Sequence, residues 1–152
     1  MTYLVERDGF TVSTDPVRLD VAAIHDFLCN KSYWAQGVPF DVVKKALANS
    51  LCFGLYAGAE QIGLARVITD RATYLYLCDV YVHESRRGNG LGRWLIECVM
   101  AHSDLQGLRR MSLVTADAHG LYAQFGFVAL ATPERYMEKR DPDVYRRNVT
   151  PP

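Results

Sequence analysis

The stretch Arg86-Arg87-Gly88-Asn89-Gly90-Leu91-Gly92-Arg93 sets three alternate glycines among three arginines. Glycine has no Cβ, so a backbone rich in it bends sharply and lets a ligand approach its N–H groups. Where such a turn opens a helix, the free N–H groups and the positive end of the helix dipole favour an anion, and the run can cradle a pyrophosphate. Arg86, Arg87 and Arg93 would add full positive charge. Read only as structure, the same run is a strand-to-helix turn with exposed arginines, but the flanking charge and the placement favour a ligand. Spacing removes two nucleotide loops: G-x-x-x-x-G-K-[ST] needs a lysine that this turn lacks, and G-x-G-x-x-G needs glycine where Arg93 stands.

Positioning such a turn requires a strand before it and a helix after it, and the chain supplies both. Thr11 to Asp15 alternates as a short strand, ended by Pro16. Asp20 is placed to cap a helix carrying Val21, Ile24, Phe27 and Leu28 on one face. A loop from Asn30 to Val38, with Ser32, Tyr33, Trp34 and Gly37, separates it from a second helix opened by Pro39, whose Phe40, Val43 and Leu47 share a side. Three β-rich runs follow, Leu51 to Tyr56, Gln61 to Thr69 and Thr73 to Val82, joined by turns too short for anything but antiparallel neighbours. Leu91, Trp94, Leu95, Cys98, Val99 and His102 repeat at helical spacing and lead to the strand Met111 to Thr115, which makes a βαβ unit with parallel strands. A last short helix, with Asp117 as cap and Gly126 as stop, carries Leu121, Tyr122 and Phe125. A terminal strand or pair is expected from Phe127. The fold class is α+β, an antiparallel meander feeding one parallel crossover.

Composition bounds the partners. The 152 residues carry 17 Lys plus Arg against 17 Asp plus Glu, with 49% hydrophobic and 22% charged content. This describes one globular domain, expected over residues 1–140, with a loose tail over 141–152. A balanced charge supplies no field to gather nucleic acid or an anionic membrane, so neither is an expected partner. Glu6, Arg7 and Asp8 occupy the place of a secretory signal, and no window approaches the roughly 18 apolar residues of a membrane span, so a cytoplasmic location is expected. Cys29, Cys52, Cys78 and Cys98 are scattered singly and read as small apolar groups, with no metal implied.

Arg87-Gly88-Asn89-Gly90-Leu91-Gly92 satisfies [QR]-x-x-G-x-[GA], and Ala118-His119-Gly120-Leu121-Tyr122-Ala123-Gln124-Phe125-Gly126-Phe127 is similar to A-x-x-L-Y-x-x-x-G-F. Together, in this order, the two segments resemble the GNAT superfamily of acyl-CoA-dependent N-acetyltransferases, and the element order of nearly the whole chain follows it. The resemblance implies a central, mostly antiparallel sheet whose fourth and fifth strands splay apart, flanked by about four helices. It implies acetyl-CoA as co-substrate, with its pyrophosphate on Arg87 to Arg93 and its pantetheine arm pairing with the backbone of Val80, Tyr81 and Val82. Thr115 stands where the family often has an asparagine contacting the pantetheine, and Phe125 also falls within the cofactor motif. The family's L-Y position puts Tyr122 forward as general acid at the leaving thiolate. One N–H of the fourth strand, that of Val82, would face the oxyanion.

The base follows less directly. Asp79 lies opposite in strand phase to Cys78, Val80 and Val82 unless a bulge intervenes, and would bind the acceptor ammonium or relay its proton; satisfying neighbouring backbone groups is its structural alternative. A polyamine-acetylating subset carries an acidic pair at the positions of Cys78 and Asp79, and the cysteine weakens that carry-over. Glu84, His83 and His119 are further candidates. Tyr33 and Trp34 would wall the acceptor site or plug the core; Arg66 and Asp70 are equally open. The expected function is acetyl transfer to a primary amine of a small molecule or peptide, by direct attack in a ternary complex. Its rivals are a covalent route through Cys78 and a catalytically silent acyl-CoA-binding regulatory module. The edges of a small mixed sheet invite a homodimer.

Overall fold

A computed structural model describes residues 2–147 of the chain. Six strands form one sheet in sequence order: β1 (Leu4–Arg7), β2 (Phe10–Ser13), β3 (Leu51–Ala57), β4 (Glu60–Thr69), β5 (Tyr74–Val82) and β6 (Arg110–Leu113). All neighbours are antiparallel except β5 and β6, which are parallel. The helices are α1 (Val21–Asp26), α2 (Phe40–Ala48), α3 (Leu91–Ala101), α4 (His119–Ala123) and α5 (Val144–Arg147). The strands expected to splay, fourth and fifth in the family's count, are therefore β5 and β6 here.

Local chemistry explains most boundaries. Asp8 and Gly9 both take positive φ, 53° and 83°, the requirement of the tight turn that matches the twist of a two-stranded hairpin. That turn creates β1, which charged Glu6 and Arg7 conceal in the sequence. Asp20 Oδ1 accepts from Ala23 N–H at 3.0 Å and caps α1, as expected. Past Asp26 the helix widens into a π-turn over Phe27–Lys31, where Ser32 N–H donates to the Phe27 carbonyl, and this aims the following loop back over the sheet. Asp70 holds the β4–β5 turn through Ala72 N–H, Thr73 N–H and the Thr73 hydroxyl, so it belongs to the framework.

Each face of the sheet carries its own core. On one, α3 lays Leu91, Trp94, Leu95, Cys98 and Val99 against Phe53, Leu55, Val67, Leu75 and Leu77. On the other, α1, the π-turn after it and α2 bring Ile24, Phe27, Val43 and Leu47 against Cys52, Leu64 and Tyr81. The sheet, buried on both sides, is thus a rigid plate on which a site can be mounted.

Two expectations need correction. No strand begins at Phe127 among the described residues: Pro133 opens a short 3-10 turn instead, and Val128 and Met137 stay exposed. Proline supplies no N–H to a ladder, and the segment it leaves, Phe127 to Thr132, is short. Asp117 does not cap α4, which has no side-chain cap; the Thr115 hydroxyl accepts from the N–H of the N-cap residue Ala118 at 3.0 Å. Gly126 does stop α4, at φ +89°. Within the segment read as a loose tail, residues 144–147 form α5 and Tyr145 packs on the second core. Residues 148–152 lie outside the described residues. Among the described residues no helix is long and apolar enough to cross a membrane.

Candidate active site

The site begins with a misfit in the sheet. Opposite β4, two residues of β5 face one: Cys78 pairs with Arg66 and Tyr81 with Leu64, leaving Asp79 and Val80 against Ala65. Asp79 takes the strain of this bulge at φ +51°. The bulge also reverses strand phase, which sends Tyr81 to the α1–α2 core and Val80 and Val82 toward the α3 core. On its other side, β5 pairs with β6 only from Tyr74 to Leu77. Beyond that point the strands part.

A cleft of about 330 Å³ fills the parting, with Leu77 to Val80 on one wall, Leu113 to Ala118 on the other, and Tyr33, Trp34, Tyr76 and Tyr122 completing it. Backbone direction along β5 follows from its end. His83 N–H donates to the Ile62 carbonyl at 2.6 Å, so alternation points the peptide groups of Tyr81 at β4 and those of Val82 away from it. The approach of the Tyr81 carbonyl to Gly63, 2.7 Å from where a Cβ would stand, agrees. Tyr81, whose ring also stacks on Phe27 at 3.8 Å, is thereby placed in the framework, while Val82 remains directed outward.

The glycine turn lies just past that strand. Gly88 and Gly90 take φ of +86° and +72°, values that favour glycine, and Gly90 is the N-cap of α3 with no side-chain cap. No atom lies within 4 Å of a Cβ built on either, so their outer surface is open to a ligand. Leu91 is buried in the core and pins the helix start. Arg87 Nε donates to the Val82 carbonyl at 3.0 Å, tying the turn to the parted strand. Asn89 donates back to the Arg86 carbonyl, and Arg93 pairs with Glu97 at 3.2 Å and lies 5.9 Å over the Phe125 ring. The arrangement is a helix N-terminus with exposed glycine backbone and guanidinium groups around it, suited to a diphosphate.

The loop after the π-turn straps both sides of the cleft. Trp34 Nε1 donates to Asp79 Oδ1 on β5 at 2.8 Å, and Tyr33 Oη accepts from Ala116 N–H past β6 at 3.1 Å. The second carboxylate oxygen, Asp79 Oδ2, accepts from Arg66 Nε at 2.7 Å, and Arg66 Nη1 donates to Ser50 Oγ at 3.1 Å. Arg66 and Tyr76 join the site from β4 and β5; the bulge that brings Arg66 onto Asp79 is the feature that sequence spacing does not display. Trp34, Tyr76, Cys78 and Asp79 also line a second cavity of about 280 Å³ between the sheet and α2. Asp79 stands where the two spaces meet.

Tyr122 is the buried member of the cleft. Burial chiefly, with Tyr33 and Asp117 adding, pushes its hydroxyl up to about 12, so it holds its proton at neutral pH. Burial likewise pushes the Cys78 thiol up to about 12 despite Arg66, which disfavours a thiolate nucleophile. Thr115 lines the cleft while its hydroxyl accepts from Ala118 N–H and holds the turn before α4. His83, Glu84 and His119 are not among the cleft's lining residues: the His83 ring bonds Ser85 Oγ, Glu84 is exposed, and His119 lines a separate cavity beyond α4. Among the described residues no three His, Cys, Asp or Glu side chains gather as a metal site.

Comparison with known proteins agrees with this construction. A GNAT acetyltransferase domain model matches residues 48–129. A "putative acetyltransferase" of Gibberella zeae is 37% identical, over 78% of each chain. A GNAT-family crystal structure from Xanthomonas campestris superposes with a TM-score of 0.89 at 46% identity, covering 92% of this chain and 99% of that one. An Elizabethkingia anophelis GNAT acetyltransferase solved with acetyl-CoA bound shares the fold at 15% identity and a TM-score of 0.61, over 87% and 88% of the two chains. A parted β5 and β6, a glycine turn opening α3, and these relatives converge: the chain belongs to the GNAT acetyltransferase family.

Proposed function

We propose that the protein transfers an acetyl group from acetyl-CoA to a primary amine, by direct attack within a ternary complex. The observation that carries this reading is the parting of β5 from β6 beside a glycine turn at the start of α3. The residues fit such a co-substrate. The turn from Arg87 to Arg93 offers backbone N–H groups and charge to a diphosphate, and the Val82 carbonyl, directed away from β4, keeps a second lone pair beside Arg87 for an extended pantetheine arm. The cleft then leads the thioester to Tyr122.

An acceptor amine with a pKa near that of lysine, about 10, arrives as ammonium and must shed a proton before attack. Asp79 is the anion at the junction of the two cavities. Trp34 and Arg66 each occupy one lone pair of its two oxygens, and a carboxylate offers about four, so capacity for an ammonium remains. Asp79 therefore positions the ammonium, and solvent in the cleft takes the proton. Attack forms the N–C bond; the C–S bond breaks as the electron pair leaves on sulfur; Tyr122 supplies the thiolate's proton. The amine's second proton goes to solvent, Tyr122 regains a proton from solvent, and the products are an N-acetylated amine and CoA thiol. The Val82 N–H would face the carbonyl oxygen as charge builds there.

The test is thiol release from acetyl-CoA across a panel of primary amines, with calorimetry of acetyl-CoA alone. Amine-dependent release supports the transferase. Saturable acetyl-CoA binding with no release across amines, peptides and aminoglycosides would instead support a silent acyl-CoA-binding module.

A further inference from the structure

The 280 Å³ cavity beside Asp79 carries more information than a place for any amine. It is at the small end of ligand sites, which run from roughly 300 Å³ upward, so it suits a molecule of amino-acid size. One side is apolar, from Leu28, Val38, Val43 and Leu47, all buried. The other side carries one anion and one cation, Asp79 and Arg66, in contact at 2.7 Å with side chains only 10% and 16% exposed. Arg66 spends Nε on Asp79 and Nη1 on Ser50, and among the described residues Nη2 has no hydrogen-bond partner although the side chain lines the cavity. A guanidinium carries five donors in a planar fork suited to carboxylates, and Nη2 keeps solvent access, so an incoming carboxylate can reach it.

We propose that the acceptor is a zwitterionic α-amino acid with an apolar side chain. This rests on the acetyltransferase reading above. The α-ammonium sits at Asp79, where the two cavities join and the thioester arrives; the α-carboxylate meets Arg66 Nη2; the side chain lies along α2, Leu28 and Val38. The pairing matches charge for charge. A polyamine would set its second ammonium against Arg66 or against valine and leucine, and a plain monoamine would leave Nη2 without an anion. The transfer is balanced as before: the α-amino nitrogen gains the acetyl group, sulfur gains one proton and solvent the other.

The experiment compares leucine, methionine and phenylalanine with their decarboxylated amines and their carboxamides, alongside spermidine and a lysine peptide, by thiol release. The expected result is a kcat/KM for at least one of the three amino acids tenfold or more above that of its own amine and carboxamide. In Arg66→Gln, confirmed folded by circular dichroism and competent for acetyl-CoA by calorimetry, the ratio of amino acid to amine should fall toward one. If Arg66→Gln fails to fold, the wild-type ratio alone decides. Equal or better turnover of the amines, the carboxamides, spermidine or the peptide overturns the inference and leaves the acetyltransferase reading intact. Acetyl-CoA binding with no turnover of any of the three amino acids overturns it too, whereas absence of acetyl-CoA binding removes the underlying reading as well.

Discussion

Tyr122 and Asp79 divide the chemistry between a retained proton and a retained charge. Because its hydroxyl is pushed up to about 12, Tyr122 stays a proton donor across the working range. Tyr122→Phe should lower kcat by roughly 10²-fold in a thiol-release assay, and unchanged turnover would reject its role as acid. The same shift predicts a wild-type kcat that rises as the amine deprotonates and shows no falling limb from this tyrosine up to about pH 10. Asp79 is tied to Arg66 with little exposure of either side chain. Asp79→Ala strands the guanidinium, and should cost about 3 kcal/mol in a denaturant titration besides raising the KM of the acceptor. In the sequence, Tyr122 is legible through its motif and Asp79 through its strand. Arg66 remains ambiguous there, because its pairing with Asp79 depends on a bulge whose side-chain phase no alternation pattern contains.

Among the elements, β5 is the one that makes the site, by pairing with β4 on both sides of the bulge at Asp79 and Val80 and only partly with β6. Gly63 permits the bulged approach: a Cβ there would meet the Tyr81 carbonyl at 2.7 Å and Leu55 Cδ2 at 3.1 Å. Gly63→Ala should destabilise the fold by about 1–3 kcal/mol, read as a lower denaturant midpoint. Gly90→Ala should act differently, since its φ of +72° strains any other residue and the helix start is where the diphosphate is held. Left-handed strain of roughly 1–2 kcal/mol, with a methyl on the ligand face, should weaken acetyl-CoA binding by at least tenfold in calorimetry. The three long helices and the central strands announce themselves through apolar periodicity. β1 does not, because Glu6 and Arg7 mask it and only the Asp8-Gly9 turn betrays the hairpin. The strand expected from Phe127 fails for the opposite reason: its apolar residues invite a strand that Pro133 and an exposed surface do not support.

At the scale of the whole molecule, a two-sided core holds many weak acids in their neutral form. Burial raises the Cys52 and Cys78 thiols from 9.0 to about 12, and the Tyr3, Tyr56 and Tyr122 hydroxyls from 10.0 to about 12. The unfolded chain loses these protons first, so the folded state binds more of them in that interval. Stability should be intact below about pH 9 and fall steeply between there and pH 12, as thermal melts across that range would reveal. Sheet order and the parallel crossover are legible because turn lengths and one long connection dictate them; the parting near Val80 to Val82 is legible only through the resemblance, since spacing does not display where β6 ends. The claim on which the function depends is that this parting receives the acyl carrier. A crystal structure with acetyl-CoA tests it most directly: the account predicts the diphosphate against Gly88 to Gly92, the extended arm beside Val82, and the acetyl group near Tyr122. An acyl carrier bound elsewhere, or β5 and β6 paired through Val82 with no space between them, would contradict it.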